Sequence, residues 1–246
     1  MKTAVRGLWL PVALLIVWQA LAGLRWLDVL FFPPPSVIAA AAVRMAQSGE
    51  LWRHLGATLA RMSVGLIIGS VLGVPFGILL ATAARMRRAA EPFVSALNSM
   101  PKLTLLPMLM LFFGIGEAPR LLLIATGCFL TMAIQSMDAV ANMNRAFVEL
   151  AVNYGANRAA LWRKVYAPSA LPQVFTGLRL ALGRALTLAV SVELVSSEKG
   201  LGSLIWMAWQ TFSIDKLYVG VALAAALGMT LHLGIKRLEA YFVPWR

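Results

Sequence analysis

The chain has 246 residues, 60% of them hydrophobic and only 13% charged, with a mean hydropathy of +0.79. A soluble domain of this length is nearer half apolar and a quarter charged, so lipid must solvate much of it, and in lipid only helices or closed barrels satisfy the backbone. The formal charge of +12, from 22 Lys and Arg against 10 Asp and Glu, is scattered between apolar runs. It therefore reads as loop charge that fixes membrane orientation and not as a nucleic-acid footprint. The apolar runs are long and do not alternate with period two, which leaves helices. The single cysteine, Cys128, lies inside one of them and can form no disulfide within the chain.

In chain order, the first apolar run covers 8–24 behind Lys2 and Arg6. Ala20-Leu21-Ala22 imitates a signal-peptidase site, but the run is long, and Trp9, Trp18 and Trp26 suit an anchored span, so a retained helix is expected. Pro33-Pro34-Pro35 forbids helix, Ser36 is expected to cap a short surface helix over 37–47, and Gly49 ends it. The second span, 62–83, carries Gly65, Gly69, Gly73 and Gly77 at every fourth position. That spacing predicts a groove where a second helix backbone approaches. Pro75 should kink the span.

A third span is expected at 101–113, short for the hydrocarbon thickness and holding Pro107. A tight turn at 114–119 leads to a fourth span at 120–137. A polar loop at 138–172 precedes a fifth at 174–195, and a sixth follows at 217–233. With the N-terminus inside, fourteen Lys and Arg fall on the inner side and seven on the outer. Both termini and the loop 138–172 are therefore expected in the cytoplasm.

That loop is the most informative stretch. Phe147, Leu150, Ala151 and Tyr154 share one face of a short helix, and Gly155 is placed to stop it. Asn157 is expected to cap a second helix whose apolar residues Leu161, Trp162 and Val165 share a face, with Pro168 and Pro172 breaking the chain before the next span. A helix-Gly-helix with an exposed apolar face invites a partner groove.

Glu149-Leu150-Ala151, Gly155 four residues on, and Leu171-Pro172 after a basic-apolar helix resemble the EAA loop of importer-type ABC permeases with the MetI-like fold. Pro33-Pro34-Pro35-Ser36 before the first outer helix belongs to the same resemblance, and Met100-Pro101 with Pro107 and Phe113-Gly114-Ile115-Gly116-Glu117 resemble the branch serving nitrate, taurine, aliphatic sulfonates and related small organic ions. The resemblance covers nearly the whole chain and departs at Leu150, where the motif has alanine. It implies an all-α membrane protein of about six spans forming one permease domain over 1–246. Glu149, Leu150, Ala151, Tyr154, Gly155, Ala156 and Leu161 would dock a cytoplasmic ATPase, and Pro168, Leu171 and Pro172 would shape the return to the membrane. Two ATPase copies, a periplasmic binding protein and a second copy of the chain are the implied partners, with ATP held by the ATPase and no cofactor on this chain.

Other residues carry weaker signals. Glu193, an acid near the outer end of the fifth span, could gate the pathway or hold the segment 196–210, and structural pairing is expected ahead of substrate contact. Arg184 and Lys102 would attract an anion or extend to an interface. His54 and His232 lack metal-ligand spacing, and Gly200-Leu201-Gly202 is not a phosphate loop, because no Gly-Lys-Ser/Thr follows. Without a Walker sequence, ATP hydrolysis is expected on another polypeptide. The competing reading is a self-contained secondary transporter or channel, but no internal repeat relates the two halves. A membrane-embedded enzyme has no catalytic constellation to support it.

Overall fold

The structure is a computed structural model and describes residues 2–82 and 84–244. Ala83, which ends the expected second span, and Arg246, one of the inner-side charges, lie outside the described residues, as do the side chains of Lys2, Arg6 and Arg145. The described residues form helices and connecting turns, without strands. In order they are α1 (Lys2–Gly23), α2 (Pro35–Gln47), α3 (Glu50–Thr82), α4 (Ala84–Ser99), α5 (Leu106–Phe113), α6 (Glu117–Ala141), α7 (Arg145–Asn153), α8 (Arg158–Leu161), α9 (Ala167–Ser196), α10 (Leu201–Gln210) and α11 (Ile214–Phe242).

Three of these, α3, α6 and α11, are individually long and apolar enough to cross a membrane. The pair Arg85–Ser99 and Lys102–Phe113, bent by 89°, qualifies together as a fourth. The apolar part of α1, Trp9–Gly23, is shorter, and the 30 residues of α9 are interrupted by Arg179, Arg184 and Glu193.

Local chemistry differs from expectation at several places. Ser36 does not cap α2. The cap position is Pro34, Pro35 takes the first helical position, where its missing N–H costs nothing, and Ser36 donates its N–H to Gln19 Oε1 at 3.0 Å. Helix α4 has no counterpart among the expected elements, and the expected third span begins only after it. Pro101 leads into a 3-10 turn, Lys102–Leu105, and Pro107 sits in the first turn of α5, where proline is tolerated. The Lys102 ammonium binds the Leu97 carbonyl at 2.9 Å and that of Asn98, closing the C-terminal end of α4, where carbonyls lack helical partners.

The chain divides into two compact units, one of residues 1–58 with 193–225 and one of 59–192 with 226–246. In the first, Ala41, Met45, Leu51, Leu204 and Val219 form the core. Two ion pairs lie in it, Arg44 with Asp215 at 3.4 Å and Lys216 with Glu50 at 3.0 Å.

In the second unit the glycine-lined face of α3 lies directly on α6. A Cβ on Gly69 would stand 2.6 Å from the Ala125 carbonyl oxygen, and one on Gly73 would stand 2.6 Å from that of Phe129. Gly65 is equally closed by Ile124 and Gly77 by Ala133. The approach continues into a core of Met62, Ile124, Cys128, Met132, Ala181, Leu182 and Ala185. Several ionisable side chains in this unit are paired in place. Arg61 grips both oxygens of Glu117 at 2.7 and 2.8 Å, Arg120 adds a contact at 2.8 Å, and Arg179 pairs with Glu239 at 2.8 Å. Such pairing is what allows ionisable side chains to remain within apolar helices.

Candidate functional site: an exposed helical elbow and a cationic cleft

The elbow is built by caps. Asn144 accepts from the Ala146 N–H at 3.0 Å and starts α7, a signal the sequence carried but the expected boundaries did not use. The helix stops at Gly155, whose φ of +78° is the left-handed conformation that favours glycine. The N–H groups of Gly155 and Ala156 return to the carbonyls of Val152 and Ala151, both at 2.9 Å. Asn157 then accepts from Ala160 N–H at 2.9 Å and starts α8. Its replacement by alanine should cost the elbow about 1 kcal/mol, seen as faster hydrogen exchange at Ala160 with exchange in α6 unchanged.

The prolines do not break the chain after the elbow. A π turn, Trp162–Tyr166, joins α8 to α9, with the Ala167 N–H bonded to the Trp162 carbonyl. Pro168 has no N–H for the carbonyl four residues back and its ring crowds that carbonyl, and the wider π turn just ahead of it relieves the conflict. Pro172 lies inside α9. Leu171 and Pro172 are half-buried and Pro168 is exposed.

The two halves of the elbow differ in what covers them. Trp162 and Tyr166 fold back on a core of Ile78, Val140 and Ala170, and Leu161 is half-buried. On α7, by contrast, Phe147 is 56% exposed, Leu150 57% and Tyr154 85%. Glu149 is exposed on the same helix and Ala151 is half-buried. A short helix therefore presents an apolar face with an acid beside it, on a frame held by two caps and a glycine stop.

A second feature lies in the same unit. A cleft of about 600 Å³ is bounded by Asn98 of α4, Met100 and Lys102 of the break, Thr131 and Gln135 of α6, and Arg184 and Thr187 of α9. Arg184 donates to Asn98 Oδ1 at 2.6 Å. Among the described residues lining the cleft there are two cations and no carboxylate.

Glu193 stands elsewhere, in the first unit, fully buried. Its Oε2 accepts from Thr58 Oγ1 at 2.8 Å and from the Gly202 N–H at 3.1 Å. Thr58 Oγ1 accepts in turn from the Leu201 N–H at 2.8 Å, and His54 Nδ1 lies 2.8 Å from the Gly200 carbonyl. The carboxylate sits at the N-terminus of α10, where it complements unbonded N–H groups and the helix dipole. His54 and Thr58 could not be joined to this cluster from the sequence, since 135 residues separate Thr58 from Glu193.

Residues 73–246 match the family model described as binding-protein-dependent transport system inner membrane component. The chain belongs to that family. The taurine transport system permease protein TauC of Escherichia coli is 31% identical over 237 residues, covering 94% of this chain and 86% of the relative. The riboflavin transport system permease protein RibX of Chloroflexus aurantiacus is 34% identical over 242 residues, covering 97% and 90%. Among solved structures, a chain of the MetNI methionine ABC transporter in inward-facing conformation superposes with a TM-score of 0.72 at 22% identity, covering 78% of this chain and 96% of that one. The fold is the MetI-like permease fold, and the chain is the membrane-spanning permease subunit of an ABC importer.

Proposed function

We propose that this permease passes a small organic anion, such as a sulfonate, that a binding protein delivers, and that its α7 elbow is the docking point of a separate ATPase. Relatives of nearly equal identity are named for taurine and for riboflavin, so identity alone does not choose the substrate. One observation does favour an anion: the cleft lined by Lys102 and Arg184 with no carboxylate among its described residues. An acidic or sulfonate group entering it meets uncompensated positive potential, whereas a cation is repelled.

The exposed face of α7 supports the coupling role. Apolar side chains left uncovered beside a glycine-stopped turn fit a partner groove. Two copies of the chain would share one pathway, each over one ATPase, with both termini and the elbow on the cytoplasmic side. Closure of the ATPases would draw the two elbows together and switch the pathway between its two faces. Glu149→Lys or Gly155→Leu should abolish ATPase recruitment without affecting membrane insertion, checked by co-purification against membrane abundance.

The substrate reading is tested by deleting the gene in its host. Growth on a sulfonate such as taurine or butanesulfonate as sole sulfur source should fail, while growth on sulfate is unchanged. Normal growth on every sulfonate, together with reduced uptake of radiolabelled riboflavin, would replace the anion with a neutral substrate.

A further inference from the structure

The two cations of the cleft are placed differently, and the difference assigns their roles. Lys102 is buried, and its ammonium lies on the carbonyls of Leu97 and Asn98. It therefore fixes the break between α4 and α5. Arg184 is exposed on α9 and gives one N–H to the side-chain amide oxygen of Asn98. A guanidinium has five N–H donors in a planar fork that fits two oxygens of one anionic group. Asn98 Oδ1 is a neutral acceptor, and an oxyanion makes the stronger hydrogen bond to the same donor.

We infer that Arg184 is the residue that reads the anionic group of the substrate in this cleft, with Asn98 holding the guanidinium in position, and that Lys102 only positions the break. The surrounding hydroxyls and amide do not share that task. Thr131 and Thr187 turn their Oγ1 atoms back to the carbonyls of Gly127 and Gly183 at 2.9 Å, so each oxygen keeps only acceptor capacity and offers an anion little. Gln135 Oε1 accepts from Gln173 at 3.0 Å. Arg184 is thus the exposed charge in a wall of neutral groups, and selectivity for anions rests on it. This assignment depends on the anion reading of the cleft given above.

The test measures local electrostatics in the intact permease and needs no knowledge of the substrate. Thr187→Cys places a thiol in the cleft, and the buried Cys128 of the parent chain supplies the background rate. The thiol is reacted with an anionic sulfonatoethyl and a cationic trimethylammonioethyl methanethiosulfonate, each rate normalised to that of a free thiol. The expected result is a preference for the anionic reagent on the order of tenfold. Adding Arg184→Gln or Asn98→Asp erases it, Arg184→Lys retains most of it, and Lys102→Gln leaves it within about twofold. If Lys102→Gln does not accumulate, the Arg184→Gln arm decides alone. Retention of the preference in Arg184→Gln would overturn the assignment while keeping the anion reading. Absence of any preference in Thr187→Cys itself would overturn the anion reading, and the assignment with it.

Discussion

Gly73→Leu is expected to remove the folded permease from the membrane. A Cβ at this position stands 2.6 Å from the Phe129 carbonyl oxygen and 2.9 Å from the Met132 Cβ. The first is a backbone atom of α6 that cannot rotate away, so the helices must separate. Separation would also open the contacts at Gly69 and Gly77, because all of these residues face one partner helix. Overpacking of this kind costs about 3 kcal/mol, a large share of what a marginally stable domain has. The measurement is the amount of protein in the membrane and its melting temperature in mild detergent. Gly56→Ala on the same helix is the control. Nothing lies within 4 Å of its added Cβ, so it should leave stability unchanged or raise it by about 0.5–1 kcal/mol.

Glu193→Ala comes second in size. The substitution leaves the Thr58 hydroxyl and the Gly202 N–H without their acceptor in a buried site. Orphaned buried donors cost about 1–3 kcal/mol each, and loss of a buried charged partner costs more. A total near 3 kcal/mol is expected, with faster hydrogen exchange confined to the start of α10. Thr58→Val acts on the same network, so the double variant should cost less than the sum of the singles. Gly200→Ala strikes the same cluster from the other side, since its Cβ would collide with the Glu193 carboxyl. Additive losses in Glu193→Ala/Thr58→Val would show that the cluster is not one unit.

What the sequence made legible follows from the range of the interactions involved. The Gly65, Gly69, Gly73, Gly77 spacing is a property of one helix, and its consequence at α6 needs no other information. Gly155 and Asn157 likewise act on their own neighbours, so the elbow between α7 and α8 could be read residue by residue. The break at Pro101 was only partly readable. Proline marked the interruption, but no sequence signal showed that 84–99 is a helix whose last carbonyls the Lys102 ammonium closes. The prolines at 168 and 172 predict breaks because an α-helix cannot absorb them unaided, and the π turn ahead of Pro168 is a compensation without a residue signature. Long-range partners were the least legible. Arg61 with Glu117, Arg179 with Glu239 and Glu193 with Thr58 are joined by helix packing, which one sequence does not encode in any local pattern. Arg184 and Lys102 are separated only by what each reaches: Lys102 the nearby carbonyls of Leu97 and Asn98, Arg184 the distant side chain of Asn98.

A permease subunit driven through its α7 elbow by a separate ATPase should carry that ATPase with it out of the membrane. The most direct measurement is affinity purification from the native membrane in mild detergent, with co-purifying chains identified by mass spectrometry, for the parent chain and for Glu149→Lys. A near-stoichiometric ATPase carrying Walker sequences is expected with the parent, and its loss with Glu149→Lys at equal membrane abundance. A parent chain that purifies without any ATPase, yet transports solute when reconstituted alone, would contradict that expectation and make the protein a self-contained transporter.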